Sequence, residues 1–190
     1  MIISQFQAIG QNLFARGLIS SHSGNLSIRL GDRLFITHRN SMLGCLKEQD
    51  LVETGISKND RATPFASTEL AVHRCVYKQT SASAIVHAHP PCAVALSFTE
   101  REIASCDVEG QLLLGKVPVL GWDIIVRPGE LAEEISEALK EHKIVVVRGH
   151  GSFAAGQLLE EAYHYTTSLE ESCRLLYLLK TLGVDSNQLL

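Results

Sequence analysis

The chain has 190 residues, 45% apolar and 20% charged, with a formal net charge of −4. That length suits one well-buried core and is short for two. Mixed charge without a basic stripe excludes an ordinary nucleic-acid binder, and no apolar run approaches the roughly 20 residues of a membrane span.

The opening stretch MIISQFQAIGQNLFARG lacks the basic region and long apolar core of a signal peptide, so a cytoplasmic location is expected. Its apolar residues Ile3, Phe6, Ile9, Leu13, Phe14 and Leu18 predict an amphipathic helix over 3–18, with Gly17 near its end. The polar stretch SSHSGN follows. Short alternating runs over 26–30 and 34–37, around Gly31 and Asp32, read as a hairpin. Residues 58–64 are polar and read as a surface loop. Residues 68–79 read as a helix that buries Leu70, Val72, Cys75 and Val76.

Residues 84–88 read as a strand ending before Pro90 and Pro91, and Pro91 suits the first turn of a helix over 92–97. Pro128 is placed to open a helix running to about His142. The β-branched run 144–147 predicts a strand buried on both faces. Gly149, His150 and Gly151 break it. A long helical pattern over 158–182 stops at Gly183, a fitting C-cap. With no repeat and no linker, the reading is one α/β domain over 1–190, its central sheet at least partly antiparallel with helices on its faces. Cys45, Cys75, Cys92, Cys106 and Cys173 are odd in number and form no C-x-x-C pair, so they read as reduced thiols.

The chemistry begins at Val86-His87-Ala88-His89-Pro90. Residues i and i+2 of a strand face the same way, so His87 and His89 can converge on one ion. His150, between two glycines where a buried strand ends, is a third candidate. Three imidazoles with an open fourth position make a typical catalytic zinc site. An isolated H-x-H is unspecific, but two histidines on an apolar strand are hard to explain as core, since each ring nitrogen needs a partner. Glu69, in PFASTELAVH, stands at the start of the helix over 68–79. It reads either as a charge complementing the helix dipole, which position alone favours, or as a general base. Ser23, Gly24, Asn25 and Ser27 could cradle an anion, as could Ser67 and Thr68 ahead of the helix; Ser-Gly-Asn also makes an ordinary turn. His22 and His38 fall in polar loops near this possible pocket, and His73, His142 and His164 read as solvated or partly buried helix residues without a role.

RGLISSHSGNLSIR, LFIT, FASTE, AIVHAHPPCAVALS, KVPVLG and VVVRGHGSFAAG, in that order, resemble the class II aldolase/adducin family, particularly its L-fuculose-1-phosphate aldolase group. The resemblance runs over about 3–182. It implies a single domain with a nine-stranded, mainly antiparallel sheet flanked by helices. It also implies a homotetramer with active sites at subunit interfaces. His87, His89 and His150 match the zinc-binding histidines, with cobalt or manganese as possible substitutes, and Glu69 matches the catalytic glutamate. Gly24, Asn25, Ser67 and Thr68 match positions that hold a substrate phosphate. The implied reaction cleaves a ketose 1-phosphate to dihydroxyacetone phosphate and an aldehyde through a metal-bound enediolate. Relatives of the same fold act as sugar-phosphate 4-epimerase, dehydratase or decarboxylase, and the adducin head is a non-enzymatic interaction module.

The chain departs from the family pattern in three places. Thr37-His38-Arg39-Asn40-Ser41 replaces the usual T-P-T-G or T-P-S-G, which puts Arg39 where it can bind phosphate or stand in solvent. No tyrosine lies between Ile103 and Val117, and none follows Tyr177. The group that protonates the departing aldehyde oxygen is therefore open, with Asp107, Glu109 and Tyr163 as candidates.

Overall fold

The computed structural model describes residues 2–122 and 128–184. Helix α1 (Ile2–Ala15) buries Phe6, Ile9 and Leu13 at helical spacing. It stops at Ala15 rather than 18 because Gly17 turns left-handed, at φ +68°, and Leu18 N–H closes back on Leu13 C=O at 3.0 Å. The expected hairpin is β1 (Asn25–Leu30) and β2 (Arg33–Thr37), pairing Leu30 with Arg33. Next come β3 (Leu51–Gly55), α2 (Leu70–Gln79), β4 (Ala84–Ala88) and α3 (Pro91–Leu96). The chain continues through β5 (Glu102–Ala104), α4 (Val108–Leu113) and β6 (Lys116–Leu120). A 3-10 turn opened by Pro128 leads into α5 (Ala132–Glu141), followed by β7 (Ile144–Val147), β8 (Gly151–Gly156) and α6 (Leu159–Thr181).

The strands form one sheet in the order β3-β2-β1-β4-β8-β7-β6-β5. Every pairing is antiparallel except β6 with β7. Among the described residues the sheet has eight strands, not the nine implied by the family resemblance. Between β3 and α2 the chain does not extend into a ladder. The Asp60 carboxylate instead accepts from the backbone N–H groups of Gly55, Ala62 and Thr63, and only a lone bridge joins His38 to Ala66. The polar segment 58–64 is thus a loop organised around Asp60, which also pairs with Arg33 at 3.1 Å.

Both faces of the sheet are covered. Val72, Val76 and Tyr77 of α2 and Ile135 and Leu139 of α5 pack on Ile85, Val145, Val147 and Phe153. Phe6 and Leu13 of α1, Ala93 of α3, and Leu169 and Cys173 of α6 pack on Leu26, Val86, Val146 and Ala154. Each such fully buried large side chain contributes about 1.5–3 kcal/mol. β4 and β7 are buried on both sides, which explains sequences that are apolar throughout but for His87. All five cysteines are free thiols, and no helix among the described residues is long and apolar enough to cross a membrane.

Candidate functional site

The site grows from the C-terminal end of β4. Ile85 and His87 share one face of that strand, the face that α2 covers. His89 lies just past the strand end, and its ring comes within 4.9 Å of the His87 ring. The turn between β7 and β8 brings in His150, whose ring stacks on His87 at 5.0 Å. This turn demands Gly151: a Cβ there would stand 2.3 Å from Ala88 O and 2.8 Å from His89 Cδ2. Gly24 is equally constrained, at φ +78° and with its missing Cβ 2.8 Å from His87 O.

His87 Nδ1–H donates to the Ser152 carbonyl at 2.8 Å, which leaves Nε2 bare. That Nε2 lies 3.0 Å from His89 Nε2 and 3.2 Å from His150 Nε2. One ligand atom from each of the three histidines lies within 4.8 Å of the others. Nitrogens bound tetrahedrally at 2.0–2.1 Å stand roughly 3.3 Å apart, so this donor set fits a divalent ion. Burial lowers the pKa of both His87 and His89, the latter to about 3, with mutual repulsion among the histidines adding to the effect. Neutral imidazole is the form that binds metal.

Glu69, at the N-cap of α2, aims its carboxylate at the same point. Its Oε1 is 3.0 Å from His150 Nε2 and its Oε2 is 3.1 Å from His87 Nε2. Asn25 Nδ2 donates to Oε2 at 2.7 Å. Burial alone would raise this carboxyl's pKa, but His87, His150 and Asn25 outweigh it and hold the group well below the usual range. Glu69 therefore rests ionised.

A cleft of about 150 Å³ collects His87, His89, His150 and Glu69 with Gly24, Asn25, Ser67, Thr68 and Arg39. His22 and His38 line it too. Within it, His38 stacks on Phe65 at 6.0 Å, Asn40 turns left-handed at φ +60°, and Arg39 stands exposed. The residues singled out for the metal and the base, and all of those for the anion but Ser27, therefore reach one place. Ser27, read as a possible anion donor, does not: it is fully buried, bonded to His73 and Tyr77. Asp107, Glu109 and Tyr163 do not line the cleft either; Asp107 caps α4 through Gly110 N–H and bonds Ser172. His73, read as solvated or partly buried and without a role, is fully buried and bonds Asn25, one contact away from Glu69. The signal for it was the helical spacing of Glu69, His73 and Tyr77, which puts all three on one face.

Residues 4–177 match the family model described as the class II aldolase and adducin N-terminal domain. A solved L-fuculose-1-phosphate aldolase from Thermus thermophilus is 40% identical, with a TM-score of 0.88 over 95% of this chain and 94% of that one. An L-fuculose phosphate aldolase of Methanocaldococcus jannaschii is 30% identical over 90% of this chain and 93% of its own length. A 3-oxo-tetronate 4-phosphate decarboxylase of Pectobacterium atrosepticum is 29% identical over 90% and 81%.

Proposed function

Since the chain belongs to the class II aldolase and adducin family, we propose that it is a class II, metal-dependent aldehyde-lyase. Its substrate would be a ketose 1-phosphate resembling L-fuculose 1-phosphate, cleaved to dihydroxyacetone phosphate and an aldehyde. One observation carries the reading: one ring nitrogen from each of three histidines and a carboxylate converge in a cleft lined with hydrogen-bonding groups. Likeness to two L-fuculose phosphate aldolases supports the substrate class.

His87, His89 and His150 would hold zinc, or cobalt or manganese in its place, since these ligands discriminate poorly among such ions. Once bound, the ion supplies Lewis-acid stabilisation of negative charge on the substrate oxygens. Glu69 handles the proton at carbon. In cleavage, the hydroxyl beside the breaking bond loses its proton and the bond electrons move toward the carbonyl. Glu69, after taking up a proton from solvent, delivers it to the carbon that was joined to the aldehyde and returns to its ionised state. In synthesis it removes that proton from dihydroxyacetone phosphate, for which its resting ionised state is suited. Gly24, Asn25, Ser67, Thr68 and Arg39 would bind the phosphate, aided by the positive end of α2.

The group that takes the hydroxyl proton in cleavage, and returns it to the aldehyde oxygen in synthesis, falls in this reading to a neighbouring copy in a homotetramer. Exposed Val108 and Leu112 on α4, and Leu175, Leu178 and Leu182 along one side of the α6 end, supply apolar surface for such an assembly. A second reaction is favoured by the decarboxylase likeness: the same cleft could release carbon dioxide from a 3-oxo sugar-acid phosphate. A non-enzymatic interaction module would have no use for the histidine and glutamate arrangement. The test is incubation of purified, metal-loaded protein with a panel of ketose 1-phosphates and 3-oxo acid phosphates. Dihydroxyacetone phosphate as product supports the aldolase; carbon dioxide alone moves the reading to the decarboxylase.

A further inference from the structure

Behind the cleft a hydrogen-bonded ladder runs from the buried side of α2 to the Glu69 carboxylate. Glu69, His73 and Tyr77 lie four residues apart on one face of α2, and Asn25 and Ser27 lie two apart on one face of β1. Four residues of helix rise about 6.0 Å and two of strand about 6.6 Å, so the two rows stay in step. Tyr77 OH meets Ser27 Oγ at 2.6 Å, and Ser27 Oγ meets His73 Nδ1 at 2.6 Å. His73 Nε2 meets Asn25 Oδ1 at 2.5 Å, and Asn25 Nδ2 meets Glu69 Oε2 at 2.7 Å.

Asn25 faces the Glu69 carboxylate with its NH2, Nδ2 donating to Oε2. The Asn25 carbonyl then faces His73, and a carbonyl also only accepts, so His73 must carry its proton on Nε2. Burial keeps this imidazole neutral, with its pKa pushed down to about 3, so Nδ1 is bare. Ser27 must therefore donate to Nδ1 and accept from Tyr77. Every donor in the ladder points toward Glu69.

We infer that His73 is a positioning residue for the Glu69 base: its Nε2–H locks the Asn25 amide so that one N–H is always presented to Glu69 Oε2. The inference rests on the reading of Glu69 as base. Without the His73 donor, the amide could turn and place its oxygen against the carboxylate. The carboxylate would then lose its Asn25 donor, and the base would be misaimed. The second N–H of Asn25 Nδ2 stays available to a phosphate.

Two measurements test it. In the intact protein, 15N NMR of the metal-loaded and metal-free forms should show His73 protonated at Nε2 and bare at Nδ1; the other tautomer or an imidazolium would overturn the inference. In the second, proton exchange at the carbon beside the carbonyl of dihydroxyacetone phosphate is followed. His73→Phe should slow it by about 10- to 100-fold, as for loss of a hydrogen bond to a charged group. Metal content should hold, and the loss should fall on the saturated exchange rate more than on KM. His73→Gln, whose amide N–H can stand in for Nε2–H, should recover most of the rate. Wild-type behaviour of His73→Phe, or no recovery by His73→Gln, also overturns it. Should His73→Phe not fold, Tyr77→Phe takes its place with a smaller loss of the same kind, and an unchanged rate there counts against the ladder. Glu69→Gln separates the two ideas. If that variant exchanges normally, the base reading has failed, whereas a dead Glu69→Gln beside a normal His73→Phe means that only the ladder has failed.

Discussion

The rings of His87 and Phe153 lie face to face, with centroids 4.2 Å apart and planes 18° from parallel. The two are cross-strand partners on β4 and β8. Phe153 is fully buried and therefore fixes the imidazole plane from behind, while the Ser152 carbonyl fixes it through Nδ1. Phe153→Leu should cost about 1–2 kcal/mol of stability, through the lost ring contact and imperfect filling. It should also weaken metal retention, because a loosened His87 no longer holds Nε2 in place. Denaturant unfolding and metal titration check both effects, and full metal affinity in the variant would show that the stack is only packing.

Metal content is the most direct check on the histidines. Protein purified without chelator should carry close to one transition-metal equivalent per chain, and chelation should abolish activity. His87→Ala, His89→Ala and His150→Ala should each lose both metal and turnover. Less than roughly a tenth of an equivalent, with no uptake of added zinc, cobalt or manganese, would remove the metal site.

Glu69→Gln preserves shape and removes the basic oxygen. It should fold, keep most of its metal, and lose on the order of 10²–10⁴ in turnover, the usual worth of a positioned general base. Exchange of the proton beside the carbonyl of dihydroxyacetone phosphate isolates that step, and a wild-type exchange rate would acquit Glu69.

Stability should fall in mild acid. The folded chain holds His73 neutral down to about pH 3, whereas a histidine in the unfolded chain takes up a proton near 6.5. Between those values the unfolded state binds the extra proton, so the His73 contribution is whole above pH 6.5 and is lost as the pH falls. At pH 5 the loss from this residue is about 2 kcal/mol. Unfolding curves at pH 7 and 5 measure it, and His73→Gln should flatten the difference.

Arg39 supplies the one full positive charge among the groups assigned to the phosphate. Arg39→Ala should weaken phosphorylated substrate by about 1.5–3 kcal/mol and leave non-phosphorylated analogues nearly unchanged. Arg39→Lys should restore only part, because a point charge lacks the planar fork. Unchanged KM and turnover for the phosphorylated substrate in Arg39→Ala would return the residue to solvent.

The sequence by itself determined the elements whose patterns are local. The run at 84–88 ahead of its two prolines, the β-branched run at 144–147 and the amphipathic first helix all form the elements expected of them, the helix ending three residues early. It also put His87 and His89 within reach of each other, although His89 stands one residue past the end of β4, where strand alternation no longer fixes its direction. The strands β3, β5, β6 and β8 were not legible, because glycine, proline and charged residues interrupt their apolar pattern. Only the tertiary structure decided that β8 lies beside β4 and that the β7–β8 turn swings His150 onto His87, contacts made across 63 residues of chain. It likewise decided the fate of His73. Helical spacing puts His73 on one face with Glu69, but only the docking of α2 on β1 buries it and gives its nitrogens Asn25 and Ser27 as partners. A histidine's role is set by what meets its two nitrogens, and those partners come from a strand nearly fifty residues earlier in the chain.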